Sequence, residues 1–276
     1  MAAAVVDDGH MASPMRSELL AVVERSPQAV AAHNRAGWLG LFSGDAQVED
    51  PVGSVPQVGT EAIGRFYDTF IGPRTITFHR DIDIVAGRTV IRDLEIETLV
   101  GSVRMLIPMY LRYDLAVAPD GGGGAPSICR LRAYWELPAM LGQFARGGLG
   151  ALPAGLTLGI GLLRNQGLSG TGGFLGAMRS AGRRSKACVA EVLAAAAAGD
   201  ELAVHRELAG SVISRGDDAR MSITELVSEL AGSRVHKLIA ADRFVVAGLR
   251  GTDRATVVFI ETAAGDRISG MQLWAE

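Results

Sequence analysis

Thiols, aromatic rings and net positive charge are all scarce in this chain. Two cysteines, Cys129 and Cys188, in 276 residues exclude a disulfide scaffold and any zinc site built from several thiolates, and they fit a reducing compartment, the cytoplasm by default. Lys and Arg total 27 against 30 Asp and Glu, a formal net charge of -3, so no global basic field exists to hold nucleic acid. Missing too is an apolar run of roughly 20 residues, the length that crosses a bilayer. The nearest candidate, Gly147 to Leu163, is uncharged and apolar but short, rich in glycine and interrupted by Pro153. The histidines His33, His79, His205 and His236 are scattered, with no metal-ligand spacing to Cys, Asp or Glu, so neither metal nor cofactor is expected. Gly121 to Gly124 lacks the Lys-Ser/Thr of a phosphate-binding loop and reads as a hairpin connection. Met1 to Met11 has neither the cationic start nor the apolar core of a signal peptide. Residues 1–16 are therefore read as a tag remnant or tail.

What is present supports a sizeable core: 48% hydrophobic against 21% charged residues. From Ser17 to Phe42 the apolar positions Leu19, Leu20, Val23, Val30, Trp38 and Leu41 recur at helical spacing, with a break expected at Ser26-Pro27. A loop through Asp50-Pro51-Val52-Gly53 leads to a further helix, Thr60 to Phe70. The period then shortens to that of strands over Thr75–Val85, Thr89–Leu99, Val103–Val117 and Ile128–Leu137. Helices followed by an antiparallel meander describe an α+β layer with helices on one face of a bent sheet.

The last hundred residues repeat the order, with helices at Lys186–Ala198, Glu201–Leu208 and Ser222–Leu230, and strands at Arg234–Ala241, Phe244–Leu249, Ala255–Thr262 and Ile268–Trp274. Trp135 near the end of the first set is answered by Trp274 in the second. An internal duplication is the economical reading. Between the copies, Leu137 to Ala190 contains no Asp or Glu but carries Arg146, Arg164, Arg179, Arg183, Arg184 and Lys186. This middle is read as an apolar, glycine-rich helical connector over residues 144–185, with peripheral contact to a membrane surface or a lipid as its other reading.

Eleven of the fifteen aromatic residues, including all four tyrosines, precede position 150, which puts a shaped pocket in the first copy. Its chemistry centres on Val48-Glu49-Asp50-Pro51-Val52-Gly53-Ser54, followed by Gly59-Thr60-Glu61-Ala62-Ile63 and Arg65-Phe66-Tyr67. A carboxylate held before a proline at the rim of an apolar cavity suits proton transfer, because desolvation raises its proton affinity. The alternative is a loop aspartate hydrogen-bonded to the turn at Val52-Gly53.

Those words, in that order and spacing, resemble a ketosteroid isomerase within the nuclear transport factor 2-like (NTF2-like) or SnoaL-like superfamily of cone-shaped α+β domains. The resemblance runs from about Ser17 to Gln143 and is specific over residues 48–67. It implies two tandem NTF2-like cones, at residues 17–143 and, in degenerate form, 186–276. It also implies steroid Δ5-3-ketone isomerisation, with Asp50 as the base that moves a proton next to the ketone. The hole that would stabilise the dienolate departs from the family's pattern. By gapless counting its tyrosine falls on Ser26 and its aspartate on Tyr110, so Tyr110 and the supporting Tyr67 stand as the expected hydrogen-bond donors. Phe42, Val52, Phe66, Met105, Met109 and Trp135 are the expected apolar lining for a steroid-like ketone. No Glu-Asp-Pro occurs in the second copy; Ile213, Ser214 and Arg215 stand near the expected base, and Asp217 and Asp218 come too late. Family members pair through their sheets, so the resemblance also implies an intrachain pseudo-dimer or a homodimer. A non-catalytic steroid or lipid carrier and a SnoaL-like cyclase or dehydratase are the alternative functions.

Overall fold

The computed structural model describes residues 13–100, 103–117, 125–146, 182–252, 254–263 and 265–275. The first half opens with α1 (Ser13–Ala31) and α2 (Arg35–Leu39). The helix continues through Pro27 instead of breaking at Ser26-Pro27, because its buried face, Leu19, Val22, Val23, Ser26 and Val30, is unbroken on either side of the proline. The break comes after Ala31, where Asn34 caps α2 by accepting from the Gly37 N–H at 2.8 Å.

Strand β1 (Phe42–Glu49) follows, in a stretch expected to be helix end and loop. Only Ala46 and Val48 alternate inward among Ser, Gly and Asp, too weak a period-two signal to stand out. Next come β2 (Gln57–Val58), α3 (Gly59–Phe66) and a π-helical turn (Tyr67–Ile71). The long strands β3 (Ile76–Ala86), β4 (Thr89–Val100), β5 (Val103–Ala116) and β6 (Ser127–Tyr134) complete the sheet. Leu137, expected to end the last strand, opens helix α4 (Leu137–Arg146).

The second half contains α5 (Arg183–Ala197), α6 (Glu201–Glu207), β7 (Val212–Arg215), β8 (Ala219–Arg220), α7 (Ile223–Leu230), β9 (Arg234–Ala241), β10 (Phe244–Arg250), β11 (Ala255–Thr262) and β12 (Ile268–Ala275). Its order, β8-β7-β12-β11-β10-β9, reproduces β2-β1-β6-β5-β4-β3 of the first half. In both sheets one pair is parallel, β1 with β6 and β7 with β12. The chain is thus α+β, with two six-stranded mixed sheets and helices that match two NTF2-like cones. The glycine loop 121–124 and nearly all of the expected connector lie outside the described residues. No helix among the described residues is long and apolar enough to cross a membrane.

Each sheet has two covered faces. On β5, Met105, Ile107, Met109, Leu111, Tyr113 and Leu115 point into the core closed by α1, α2 and α3. The alternate residue Tyr110 points the other way, joining Ile84, Ile91 and Tyr134 against Ile239, Val246, Val257, Phe259 and Trp274 of the second sheet. The two sheets therefore pack back to back. Trp135 and Trp274 do not correspond as expected, since the first faces its own core and the second the shared interface.

Charge is buried at this interface. Asp93, 1% exposed, meets Lys237 and Arg250 from the other half. Lys237 also donates to the Leu94 and Met109 carbonyls at 3.0 and 3.1 Å and lies 4.6 Å from the centre of the Tyr110 ring. Arg112 ion-pairs with Asp217 at 2.5 Å and stacks 4.6 Å over Trp274.

Gly248 makes this approach possible, because a Cβ there would overlap the fully buried Tyr110 hydroxyl. Gly248→Ala is expected to lower stability by about 1–3 kcal/mol through overpacking, read by urea denaturation. In a Tyr110→Phe background the same change should cost clearly less. Equal losses in the two backgrounds would show that the hydroxyl contact is not the constraint.

Candidate active site

The end of β1 carries the candidate base. Ala46 and Val48 anchor the strand inward, and the turn after it is tied down by two bonds, Val52 N–H to the Ala133 carbonyl and Gly53 N–H to Glu49 Oε1, each 2.8 Å. Glu49, not Asp50, therefore holds the turn. Asp50 is left free for the core side, where the Trp135 indole N–H donates to its Oδ1 at 2.6 Å. Burial pushes the Asp50 carboxyl up to about 6, and the indole hydrogen bond restrains that rise. A group poised there exchanges protons readily near neutral pH.

The surroundings are apolar and aromatic. Phe66, Met105, Met109 and Trp135 lie in one buried core with Tyr67, and Phe42 packs against it. Trp38 is flanked by Phe42 at 4.7 Å and Tyr67 at 5.4 Å between ring centres. The Tyr67 hydroxyl is buried without a hydrogen-bond partner, and burial raises its pKa, so it is a neutral donor.

Two expected residues are elsewhere. Tyr110 lies on the opposite face of β5 from Met109, under Lys237, and does not share a cavity with Asp50. Gapless counting placed it one pleat off, and in a strand one residue exchanges one face for the other. Val52 is likewise in the core between the sheets and does not line the cone.

A third tyrosine escaped the sequence reading. Tyr113 is buried in the same core as Met109 and hydrogen-bonded to Ser26, which also accepts from the Trp38 indole at 3.1 Å. Burial pushes its phenol up to about 12. The signal for it was the period of two from Met105 and Met109. Beside it the nearly sealed Arg92 is neutralised by Asp83 at 2.7 Å and Glu24 at 2.9 Å.

The second core, by contrast, is aliphatic, from Val189 and Leu193 to Met271 and Leu273, and among the described residues neither an aromatic nor a charged side chain is buried in it. Asp217 turns outward to Arg112. Among the described residues no cluster of His, Cys, Asp or Glu could hold a metal ion.

Two outcomes follow from the buried carboxyl. Because its folded pKa of about 6 exceeds the ordinary 3.8, ionising Asp50 opposes folding. Asp50→Asn should stabilise the protein at pH 7 by about 1–3 kcal/mol, a gain that fades as pH falls from about 6 to about 4. Trp135→Phe, which removes the donor to the carboxylate, should move the Asp50 titration, followed by carboxyl carbon NMR, to higher pH; an unmoved titration would deny the hydrogen bond its role.

Residues 18–103 match the family model described as the nuclear transport factor 2 (NTF2) domain. Among solved structures, a Δ5-3-ketosteroid isomerase from Mycobacterium sp. is 27% identical, covering 45% of this chain and 96% of its own, with a TM-score of 0.39. The protein RV0760c of Mycobacterium tuberculosis is also 27% identical, covering 44% of this chain and 93% of its own, with a TM-score of 0.39. A putative polyketide cyclase of Xanthomonas campestris is 16% identical, covering 46% and 97%, with a TM-score of 0.40. Each spans about half of this chain. The family match thus lies within the first half of the chain, on the helices and strands that carry Asp50, and the sheet order of that half is repeated in the second.

Proposed function

We propose that the first cone shifts a proton along a flat hydrophobic ketone, in the manner of a steroid Δ5-3-ketone isomerase, with Asp50 as the base. The observation that carries this reading is a buried carboxyl raised to about 6 and held by a single neutral N–H donor in an aromatic, apolar core. The carboxylate takes a proton from the carbon between the ketone and the isolated double bond, and the electron pair moves into a dienolate. The carboxylic acid then returns the proton at the far end of the conjugated system, so the reaction is redox-neutral and consumes no co-reactant.

Stabilising the enolate oxygen requires neutral hydrogen-bond donors close to it. Tyr67, with its buried unpartnered hydroxyl, takes that role in this proposal, joined by Tyr113 with Ser26. Tyr110 is left out because it faces the other sheet. Phe66, Met105, Met109 and Trp135, with Phe42 at the edge, form the wall against which a rigid polycyclic ligand packs. In this proposal the sheet-on-sheet contact within the chain takes the place of pairing with a second copy.

The test is ultraviolet monitoring of 5-androstene-3,17-dione conversion. Wild type should form the conjugated ketone, with kcat/KM rising as pH passes about 6 and Asp50 ionises. Asp50→Asn should lose about 10²- to 10⁴-fold, the usual worth of general acid–base catalysis. Tyr67→Phe and Tyr113→Phe should each lower kcat more than they change KM. Steroid binding without conversion by the wild type would overturn the isomerase reading in favour of a carrier.

A further inference from the structure

A second concavity lies on the other side of the sheet from Asp50. Between the two halves, at one edge of the back-to-back contact, a cleft of about 690 Å³ is lined from both sides, within the range of small-molecule sites. Its apolar floor contains Tyr134 and Phe259, ring centres 4.9 Å apart at an edge-on angle, with Phe244 meeting Tyr134 at 6.0 Å. Adjacent residues separate the two sites, since Tyr134 belongs to this floor and Trp135 to the cone.

The walls carry arginines from both halves, and their acids are largely spoken for. Asp114 accepts from Arg112 at 2.8 Å, Arg132 at 3.1 Å and Thr89 at 3.0 Å. Asp217 is held by Arg112, and Glu261 pairs with Arg243 at 2.9 Å. Arg88, Arg130 and Arg220 line the cleft and enter no ion pair among the described residues, with Asp218 the one lining acid similarly unpaired. Arg132 adds a buried Nε–H with no acceptor, a donor whose desolvation nothing in the protein offsets. The local balance is therefore cationic in a chain that is acidic overall, and guanidinium forks bind carboxylates and phosphates in pairs of parallel hydrogen bonds.

We propose that this cleft binds a small planar organic anion, its carboxylate or phosphate held by Arg130, Arg132, Arg88 and Arg220 and its ring lying on Tyr134 and Phe259. Such a ligand bridges the halves, since Arg220 comes from β8 of the second half, and Arg130 and Arg132 from β6 and Arg88 from the β3–β4 turn of the first.

Titration calorimetry on the full chain tests this with four probes: 2-naphthoate, 2-naphthyl phosphate, inorganic phosphate and the uncharged 2-naphthalenemethanol. Both naphthyl anions should bind one to one and weaken as salt is raised, inorganic phosphate should bind more weakly, and the alcohol should give no heat. The tighter of the two naphthyl anions identifies the headgroup. Replacing the exposed, unpaired pair together, Arg130→Gln with Arg220→Gln, should weaken the better anion at least tenfold, while Asp50→Asn, on the opposite face, should leave it unchanged. The proposal is overturned if no probe binds, if the alcohol binds as tightly as the acids, or if the double variant binds like wild type. Loss of binding in Asp50→Asn would place the anion in the cone and overturn it equally.

Discussion

The constraint on which the structure depends is that the central strands are buried on both faces. A β-strand sends alternate side chains to opposite sides, and here each side is an interior of different kind. On β5, Met109 and Leu111 enter a cone closed by helices, whereas Tyr110 and Arg112 enter the contact with the second sheet. A slip of one residue would bring Arg112 into the cone and Met109 under Lys237. Register is therefore fixed by both cores at once. Asp93 enforces it from the polar side, because a carboxylate 1% exposed is tolerable only opposite Lys237 and Arg250.

The same alternation sets the chemistry of the cone. A carboxyl becomes a useful base near neutral pH only if it is desolvated without being neutralised by a cation. The arginines that are buried or half-buried on the central strands of this sheet meet acids of their own: Arg92 is taken by Asp83 and Glu24, and Arg112 and Arg132 by Asp114. What reaches Asp50 is an indole N–H, which orients the carboxylate without pulling its pKa back to the exposed value. Glu49 completes the arrangement by accepting the Gly53 N–H, a turn bond that the sequence left equally open to Asp50.

Much of the architecture was legible. The last four strands, β9 to β12, were bounded to within a residue, most plainly β10 and β11, whose apolar runs are buried almost end to end as strands covered on both faces should be, whereas the short β7 and β8 were not read as strands. The doubled order of helices and strands was legible for the same reason. Strand β1 was not, since Ser43, Gly44 and Asp45 occupy its exposed stretch and only two side chains point inward. Asp50 meets Trp135, and Trp135, Phe66, Met105 and Met109 share one buried core. Tyr110 does not, and the reason is local: counting along a strand locates a residue but leaves its face undetermined unless the parity of its neighbours is counted too. Met105 and Met109 supplied that parity, and it leads to Tyr113.

The two halves share a sheet order but not a use. The second core is aliphatic throughout, and the acid nearest the end of β7, Asp217, reaches across to Arg112 instead of inward. What the second half contributes instead is a surface. Val246, Val257, Phe259 and Trp274 cover Ile91, Tyr110 and Tyr134, and Lys237 and Arg250 neutralise Asp93. Left uncovered, that back face would expose a large apolar patch around an unpaired acid, the combination that promotes association. Covering it intramolecularly avoids the loss of translational and rotational freedom that association between chains entails. It also makes the edges of the contact chemically unequal, because the two halves differ in sequence. The arginine-lined cleft is a product of that inequality: its lining joins arginines of both copies to the rings of Tyr134, Phe244 and Phe259, whereas a concavity of about 610 Å³ beside β3 sets Arg80 and Arg254 next to Asp81 and Asp83 with no aromatic ring in its lining.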